Sequence, residues 1–233
     1  SIDFIATNRR GLTTQKTMTV ELDITPPILS IDTEIPKETI DREIAVTGKT
    51  EPGCILTIEE QSVSLDENGS FSVTIPLTHG WNTIVIESTD QASNKTFLDY
   101  GITVINKIVL QIGNRTATVN GKEVEFDVAP YIKNGRTMVP LRFIAESFGA
   151  SIGYDSVERS IMVYTNDVYI WLQIGNPEAF IENKGVMGKE RIILEAPPEL
   201  VDSRTFVPIR FIGEAFGATI EWEEKTQTII IKN

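Results

Sequence analysis

The sequence has 233 residues, 41% of them hydrophobic, enough for two modest cores or one large one. Asp and Glu number 33 against 21 Lys and Arg; the formal net charge of −12 leaves neither half a basic surface for nucleic acid or anionic lipid. The single cysteine, Cys54, excludes an internal disulfide and a zinc framework, and no eighteen-residue apolar run exists to span a membrane.

The opening residues, "SIDFIATNRRG", read as the middle of a domain. Residues 2–22 lie without gaps on residues 84–104, setting Ile2 against Ile84, Phe4 against Ile86, Thr7 against Thr89 and Val20 against Ile102. The expectation is that residues 1–22 are the last strands of a preceding domain of the type that follows. Such strands expose apolar edges unless the next domain, a neighbouring molecule or a missing upstream part covers them.

Residues 23–105 are a β text. The runs "ILSID" at 28, "EIAVTGKT" at 43, "CILTIEE" at 54, "SFSVTIPL" at 70, "NTIVIEST" at 82 and "YGITVI" at 100 alternate apolar and polar positions. "TPP" at 25–27 cannot sit in a central strand and marks a stiff boundary, and Asn68-Gly69 supplies a turn with positive φ. One apolar face per strand predicts two sheets facing each other, a β-sandwich. Cys54 falls in the alternation as a small buried strand residue.

Residues 106–233 form a second domain of two repeats, 107–166 and 167–233. "IVLQIGNRTATVNG" at 108 aligns with "IWLQIGNPEAFIEN" at 170, and 127–163 aligns with 195–231, matching Asp127 with Glu195, Pro130 with Pro198 and Asn134 with Asp202. The second copy carries extra residues around "NKGVMGKE" at 183–190. Each unit reads strand, strand, loop, helix, strand, strand, so the fold class is a multidomain chain: an all-β sandwich followed by an α+β domain. Internal duplication of this kind points to shared architecture.

The duplicated polar residues fit that reading. Pro140 and Pro208 suit a first helical turn, and Gly149 and Gly217 suit a left-handed residue just past its end. Between them Leu141, Ile144, Ala145 and Phe148, and in the second copy Ile209, Ile212, Gly213 and Phe216, make an apolar stripe. Arg142 with Glu146, and Arg210 with Glu214, share a helix face at i,i+4 and pair there. Arg136 and Arg204 precede the helices and are placed to tie the loop to backbone carbonyls; sugar or anion binding is the alternative role of all four arginines. Tyr154 and Trp222 occupy matched places in the closing hairpins, as packing residues.

His79, between two predicted strands, is the only histidine, so a triad or a His-based metal site cannot be built. No pair of carboxylates is singled out, and no phosphate-binding or dinucleotide fingerprint appears. Catalytic, cofactor and metal residues are therefore expected to be none. Asp66, Glu67 and Asn68, and Asp90 with Asn94, are oxygen-rich turns. Side-chain bonds within the turns explain them most cheaply, and a calcium ion near Asp23 is the alternative.

Residues 107–233 resemble the copper amine oxidase N-terminal-like domain of bacterial surface and secreted proteins, on "VLQIGNRTATVNGKEV", "VAPYIKNGRTMVPLRFIAESFGASIGYD" and "SRTFVPIRFIGEAFGATIEWE". In the oxidases that domain is a peripheral stalk, with copper and the quinone in a different, catalytic domain. The resemblance thus implies an accessory, non-enzymatic, extracellular part. Residues 23–105 resemble bacterial immunoglobulin-like domains of surface proteins and glucan-degrading enzymes, on "DITPPILSI", "VTGKTEPGCILTI" and "SLDENGSFSVTIPLTHGWNTIVIESTDQASN", with Ser93 where that family has glycine.

Together the resemblances imply a Gram-positive cell-envelope or secreted protein. The favoured function is a structural spacer or display element of the cell surface, in an S-layer or adhesion assembly, whose partners are other domains of the same protein. The alternative is a carbohydrate- or cell-wall-binding accessory part of a larger secreted hydrolase, using exposed aromatics such as Trp81, Trp171 or Trp222 on glycan.

Overall fold

The computed structural model describes residues 1–19 and 21–233; Val20, set against Ile102 in the sequence comparison, lies outside the described residues. The chain divides into two compact units, one of Ser1–Lys37, Glu43–Pro76 and Asn82–Ile102, the other of Glu38–Arg42, Leu77–Trp81 and Thr103–Asn233. Most elements are strands, with two short helices.

The first unit begins with an antiparallel hairpin, β1 (Ile2–Thr7) and β2 (Thr13–Met18), whose residues are all exposed. Next along the chain come β3 (Leu29–Ile31), β4 (Glu38–Thr39, which falls in the other unit), β5 (Glu43–Thr50), β6 (Ile55–Ile58), β7 (Gln61–Val63), β8 (Ser70–Pro76), β9 (Gly80–Thr89) and β10 (Lys95–Val104). Here they make two sheets, ordered β3-β5-β8 and β10-β9-β6-β7. Period-two alternation buries Val46 and Phe71 from one sheet and Leu56, Ile58, Ile84 and Ile86 from the other. The buried Ser88 hydroxyl of β9 reaches the Thr50 hydroxyl of β5 at 2.6 Å, and Thr50 donates to the Ile28 carbonyl at 2.9 Å. A hydroxyl removed from water needs such a partner.

The Asn68-Gly69 turn forms as its residues suggest. Gly69 has φ of 80°, its carbonyl accepts from the Thr50 amide at 2.9 Å, and Asp66 Oδ1 accepts from the amides of Asn68 and Ser70 at 2.8 Å each. Cys54 departs from expectation. It is half-buried and stands just ahead of β6 rather than in it, because the turn at 51–53 is still unwinding there.

The second unit carries the repeats. The first comprises β11 (Lys107–Gln111), β12 (Thr116–Val119), β13 (Lys122–Glu125), β14 (Tyr131–Lys133), β15 (Arg136–Pro140), α1 (Leu141–Ser147), β16 (Ser151–Asp155) and β17 (Ser160–Tyr164). The second comprises β18 (Val168–Gln173), β19 (Glu178–Asn183), β20 (Glu190–Ile193), β21 (Glu199–Val201), β22 (Arg204–Pro208), α2 (Ile209–Ala215), β23 (Thr219–Glu223) and β24 (Thr228–Lys232). The stretch expected as loop ahead of each helix is thus three strands.

The strands close across the repeats. One five-stranded sheet runs β13-β12-β11-β24-β23 and the other β16-β17-β18-β19-β20. Each repeat therefore sends its closing hairpin to the opening strand of the other. The registers agree: Ile108 faces Ile231 and Leu110 faces Ile229 in one sheet, Ile170 faces Val163 and Leu172 faces Ile161 in the other. A third sheet, β14-β15-β22-β21, joins the repeats at its middle, where Val139 faces its own counterpart Val207. Such reciprocal pairing is the mark of a two-fold axis, here within one chain. The helices and both large sheets share a single core that includes Ile108, Leu110, Ile144, Ile212, Ile229 and Ile231. Each fully buried aliphatic side chain there contributes about 1.5–3 kcal/mol.

Candidate functional site

The duplicated motif sits where the pseudo-dyad crosses the helices. Each helix has seven residues, about 10 Å long, too short to persist without its packing. Pro140 and Pro208 are the residues just before the helices, in extended conformation, one place earlier than expected. Each is also the last residue of its strand, so it turns strand into helix where no amide donor is needed. Gly149 has φ of 73°, and the amides of Gly149 and Ala150 return to the carbonyls of Glu146 and Ala145, both at 2.9 Å; Gly217 and Ala218 repeat the bonds. Leu141, Ile144 and Ala145 are buried on α1, as are Ile209, Ile212 and Gly213 on α2. At the helix ends Phe148 stacks on its counterpart Phe216, ring centres 5.1 Å apart.

The arginines ahead of the helices reach across the dyad. Arg136 Nη2 donates to Glu195 Oε1 at 2.8 Å, and Arg204 Nε donates to Asp127 Oδ2 at 2.9 Å. Asp127 and Glu195 are matched positions, so each repeat holds the other's arginine. Each guanidinium also touches the carbonyl before it, Gly135 at 3.3 Å and Ser203 at 3.4 Å. All four side chains are about half exposed rather than buried, and carboxylates, not backbone carbonyls, are the main partners. The glutamines of "LQIGN" do the same: Gln111 donates to the Thr226 carbonyl and Gln173 to the Glu158 carbonyl, each at 2.9 Å. These glutamines and Asp127 and Glu195 went unassigned in the sequence, although their recurrence at matched positions was the signal.

The helix residues have another fate. Arg142 with Glu146 and Arg210 with Glu214 make no ion pair among the described residues, contrary to the pairing expected from their spacing. Each set lines its own open cleft of about 700 Å³. One, beside α1, is walled by Phe126, Phe143, Tyr154, Asp127 and Arg204. The other, beside α2, is walled by Phe211, Leu194, Asn183, Glu190 and Glu195. The first balances two arginines against Glu125, Asp127 and Glu146; the second sets Arg210 against three glutamates. No histidine or cysteine lines either; the polar lining is mainly carboxylate and guanidinium, joined in the first cleft by the hydroxyls of Ser203, Thr205 and Tyr154.

At the edge of the third sheet, the Tyr131 hydroxyl donates to Glu199, which also takes Lys133. Tyr131 and Glu199 are again counterparts. Burial and the neighbouring carboxylate hold the tyrosine well above its usual range. Burial alone would raise Glu199, but Lys133 and Tyr131 outweigh it and the carboxyl lies below its ordinary value.

The tryptophans lie on three different strands. Trp81 is on β9 and 70% exposed, Trp222 is on β23 and 45% exposed, and Trp171 on β18 packs on Phe180 with ring centres 5.7 Å apart. None lines either cleft. His79 is exposed, with Nε2 3.2 Å from the Asn233 carbonyl. The acidic turns are occupied from within. Asp90 accepts from the Asn94 side chain and amide, and Asn94 donates to the Asp23 carbonyl at 3.2 Å. These bonds hold the Asp90 carboxyl below its ordinary value, as amide bonds from Ser70 and Asn68 do for Asp66. Among the described residues no helix is long and apolar enough to cross a membrane.

Two comparisons bear on this arrangement. Residues 101–163 and 118–231 match the copper amine oxidase N-terminal domain, overlapping segments that together span more than half the chain. A protein titled "Protease inhibitor" from Brevibacillus choshinensis is 24% identical over 131 residues, 56% of this chain. The match covers 38% of that protein's length.

Proposed function

The chain belongs to the copper amine oxidase N-terminal domain family, and from that premise we propose that it is a non-catalytic structural element, a spacer or display unit of a bacterial cell-surface protein. The supporting observation is how the repeated polar residues are used. Arg136 and Glu195, Arg204 and Asp127, Gln111 and Gln173 are spent holding one repeat to the other. Residues 23–105, read as an immunoglobulin-like sandwich, and residues 106–233, read as an α+β domain with internal two-fold symmetry, suit a spacer assembled from separately folded units. Glycan binding has less support, since neither of the two clefts described is lined by a tryptophan. Antibody labelling of intact cells and of cell-wall fractions tests the proposal. A protein confined to the cytoplasm, or a purified chain that turns over an amine or a glycan, ends it.

A second reading, protease inhibition, draws on the relative's title and on one asymmetric feature. The turn between β19 and β20 is the insertion that repeat one lacks, and Met187 at its tip is 100% exposed. Titration against chymotrypsin-like and subtilisin-like proteases tests it. Inhibition abolished by Met187→Asp supports it, and no inhibition at micromolar protein removes it.

A further inference from the structure

The hairpin β1–β2 has a twin inside the chain. Shifted by 82 residues, Ile2–Thr7 becomes 84–89, the end of β9, and Thr13–Met18 becomes 95–100, the start of β10. Strand ends that agree at both sides of a turn mean the turn agrees too. The Asn8 amide donates to the Leu12 carbonyl at 2.9 Å and the Gly11 amide to the Asn8 carbonyl at 3.0 Å; the Asp90 amide donates to the Asn94 carbonyl at 3.1 Å and the Ser93 amide to the Asp90 carbonyl at 3.2 Å. Asn8 Oδ1 accepts from the Leu12 amide as Asp90 Oδ1 does from the Asn94 amide. Gly11 and Ser93 both have positive φ, 79° and 70°.

The twins differ in what covers them. Ile84 and Ile86 are 1% and 0% exposed, while their counterparts Ile2 and Phe4 are 49% and 55% exposed. In β9 the outer edge is taken by β6, with Leu56 opposite Ser88 and Ile58 opposite Ile86, and β5 meets Ser88 from the facing sheet. Among the described residues the same edge of β1 carries no strand, for β1 and β2 are a sheet of two. A two-stranded ribbon with an apolar face is marginal in water. Lys16 stands where β10 has the half-buried Leu98, and its stem suits that margin.

We propose that β1–β2 is the closing hairpin of another sheet pair of the 23–105 type, and that the face of Ile2, Phe4 and Met18 is the docking surface for strands equivalent to β6 and to β3-β5-β8. The occupant is named by this chain's own second example: the same strand ends and turn, covered by those strands. Successive units then repeat at 82 residues, the second following the first without spacer.

The test compares the chain 1–233 with one in which residues 23–83 are joined ahead of Ile2, restoring every strand the twin possesses. Hydrogen exchange at amides of 2–7 and 13–18 is expected to slow roughly a hundredfold in the extended chain. Phe4→Asp is expected to leave melting of the chain 1–233 unchanged but to destabilise the added unit, whereas Ile86→Asp destabilises the existing unit in both. A control in which residues 84–104 replace 2–22 of the extended chain shows that the graft folds. Slow exchange already present in the chain 1–233, whether independent of concentration (cover by its own units) or dependent on it (a second copy), overturns the proposal. So does a hairpin that stays unprotected when the control folds.

Discussion

Tyr131 donates its hydroxyl to Glu199, and the two residues occupy one position of the repeat. Where a pseudo-dyad brings a residue to its own counterpart, identical ionisable groups would oppose each other. Two glutamates there would push one another's protonation upward. The chain instead sets donor against acceptor at this place, and apolar against apolar at Val139–Val207 and Phe148–Phe216.

That pair predicts a pH dependence with two limbs. Glu199 is depressed in the folded state, so its contribution is present above the ordinary glutamate range and is lost as pH falls through the folded value. Glu199→Gln should flatten the acid limb of the melting profile below about pH 5. Tyr131 is raised, so its contribution is complete below the ordinary tyrosine value and disappears as pH climbs beyond it. Tyr131→Phe should cost about 1 kcal/mol at neutral pH and flatten the alkaline limb above about pH 10. Wild-type slopes in both variants would refute the assignment.

The exchanged hairpins predict complementation. Alone, residues 106–166 leave β11 without β24 and β17 without β18. Either piece, 106–166 or 167–233, should be unfolded or self-associated by circular dichroism and sedimentation, and mixing them should give a folded one-to-one complex. A stable monomer from either piece contradicts the closure described above.

Core truncations should separate sharply. Phe206 is fully buried with Met138 and Ala196 against Tyr131, so Phe206→Ala should cost about 3–5 kcal/mol. Phe97, more than half exposed on β10, should change stability by no more than about 0.5 kcal/mol when replaced by alanine. Denaturant unfolding of the two variants measures the difference.

Gly69 is held by its neighbour as well as by its φ. A Cβ there would lie 2.0 Å from the Thr50 carbonyl oxygen, which is backbone and cannot swing away. Gly69→Ala should lose at least about 2 kcal/mol, from the left-handed conformation together with the displaced carbonyl. Calorimetry showing less than a 2 °C fall would mean the turn relaxes freely.

The cross-repeat ion pairs should be worth little singly. Their side chains are about half exposed, and such pairs contribute about 0–1 kcal/mol, less at high salt. Arg136→Ala and Arg204→Ala should each fall in that range and converge with the parent chain in 1 M salt. A loss beyond about 2 kcal/mol would show the pairs do more than hold register.

The sequence by itself determined the local text: a repeat with matched positions, proline and glycine bracketing each helix, an apolar stripe between, and period-two strands before it. Those features come from forces acting over a few residues, φ restriction, capping and amphipathic spacing, which neighbouring letters encode. Partnership was decided only by the tertiary structure. Spacing put Arg142 near Glu146 without bonding them, and gave no sign that Arg204 would find Asp127 or that β17 would leave its own repeat for β18. Strands of equal period and apolarity can pair in several orders. The choice is made by burying all their inner faces at once, a condition on the whole core that no single segment carries.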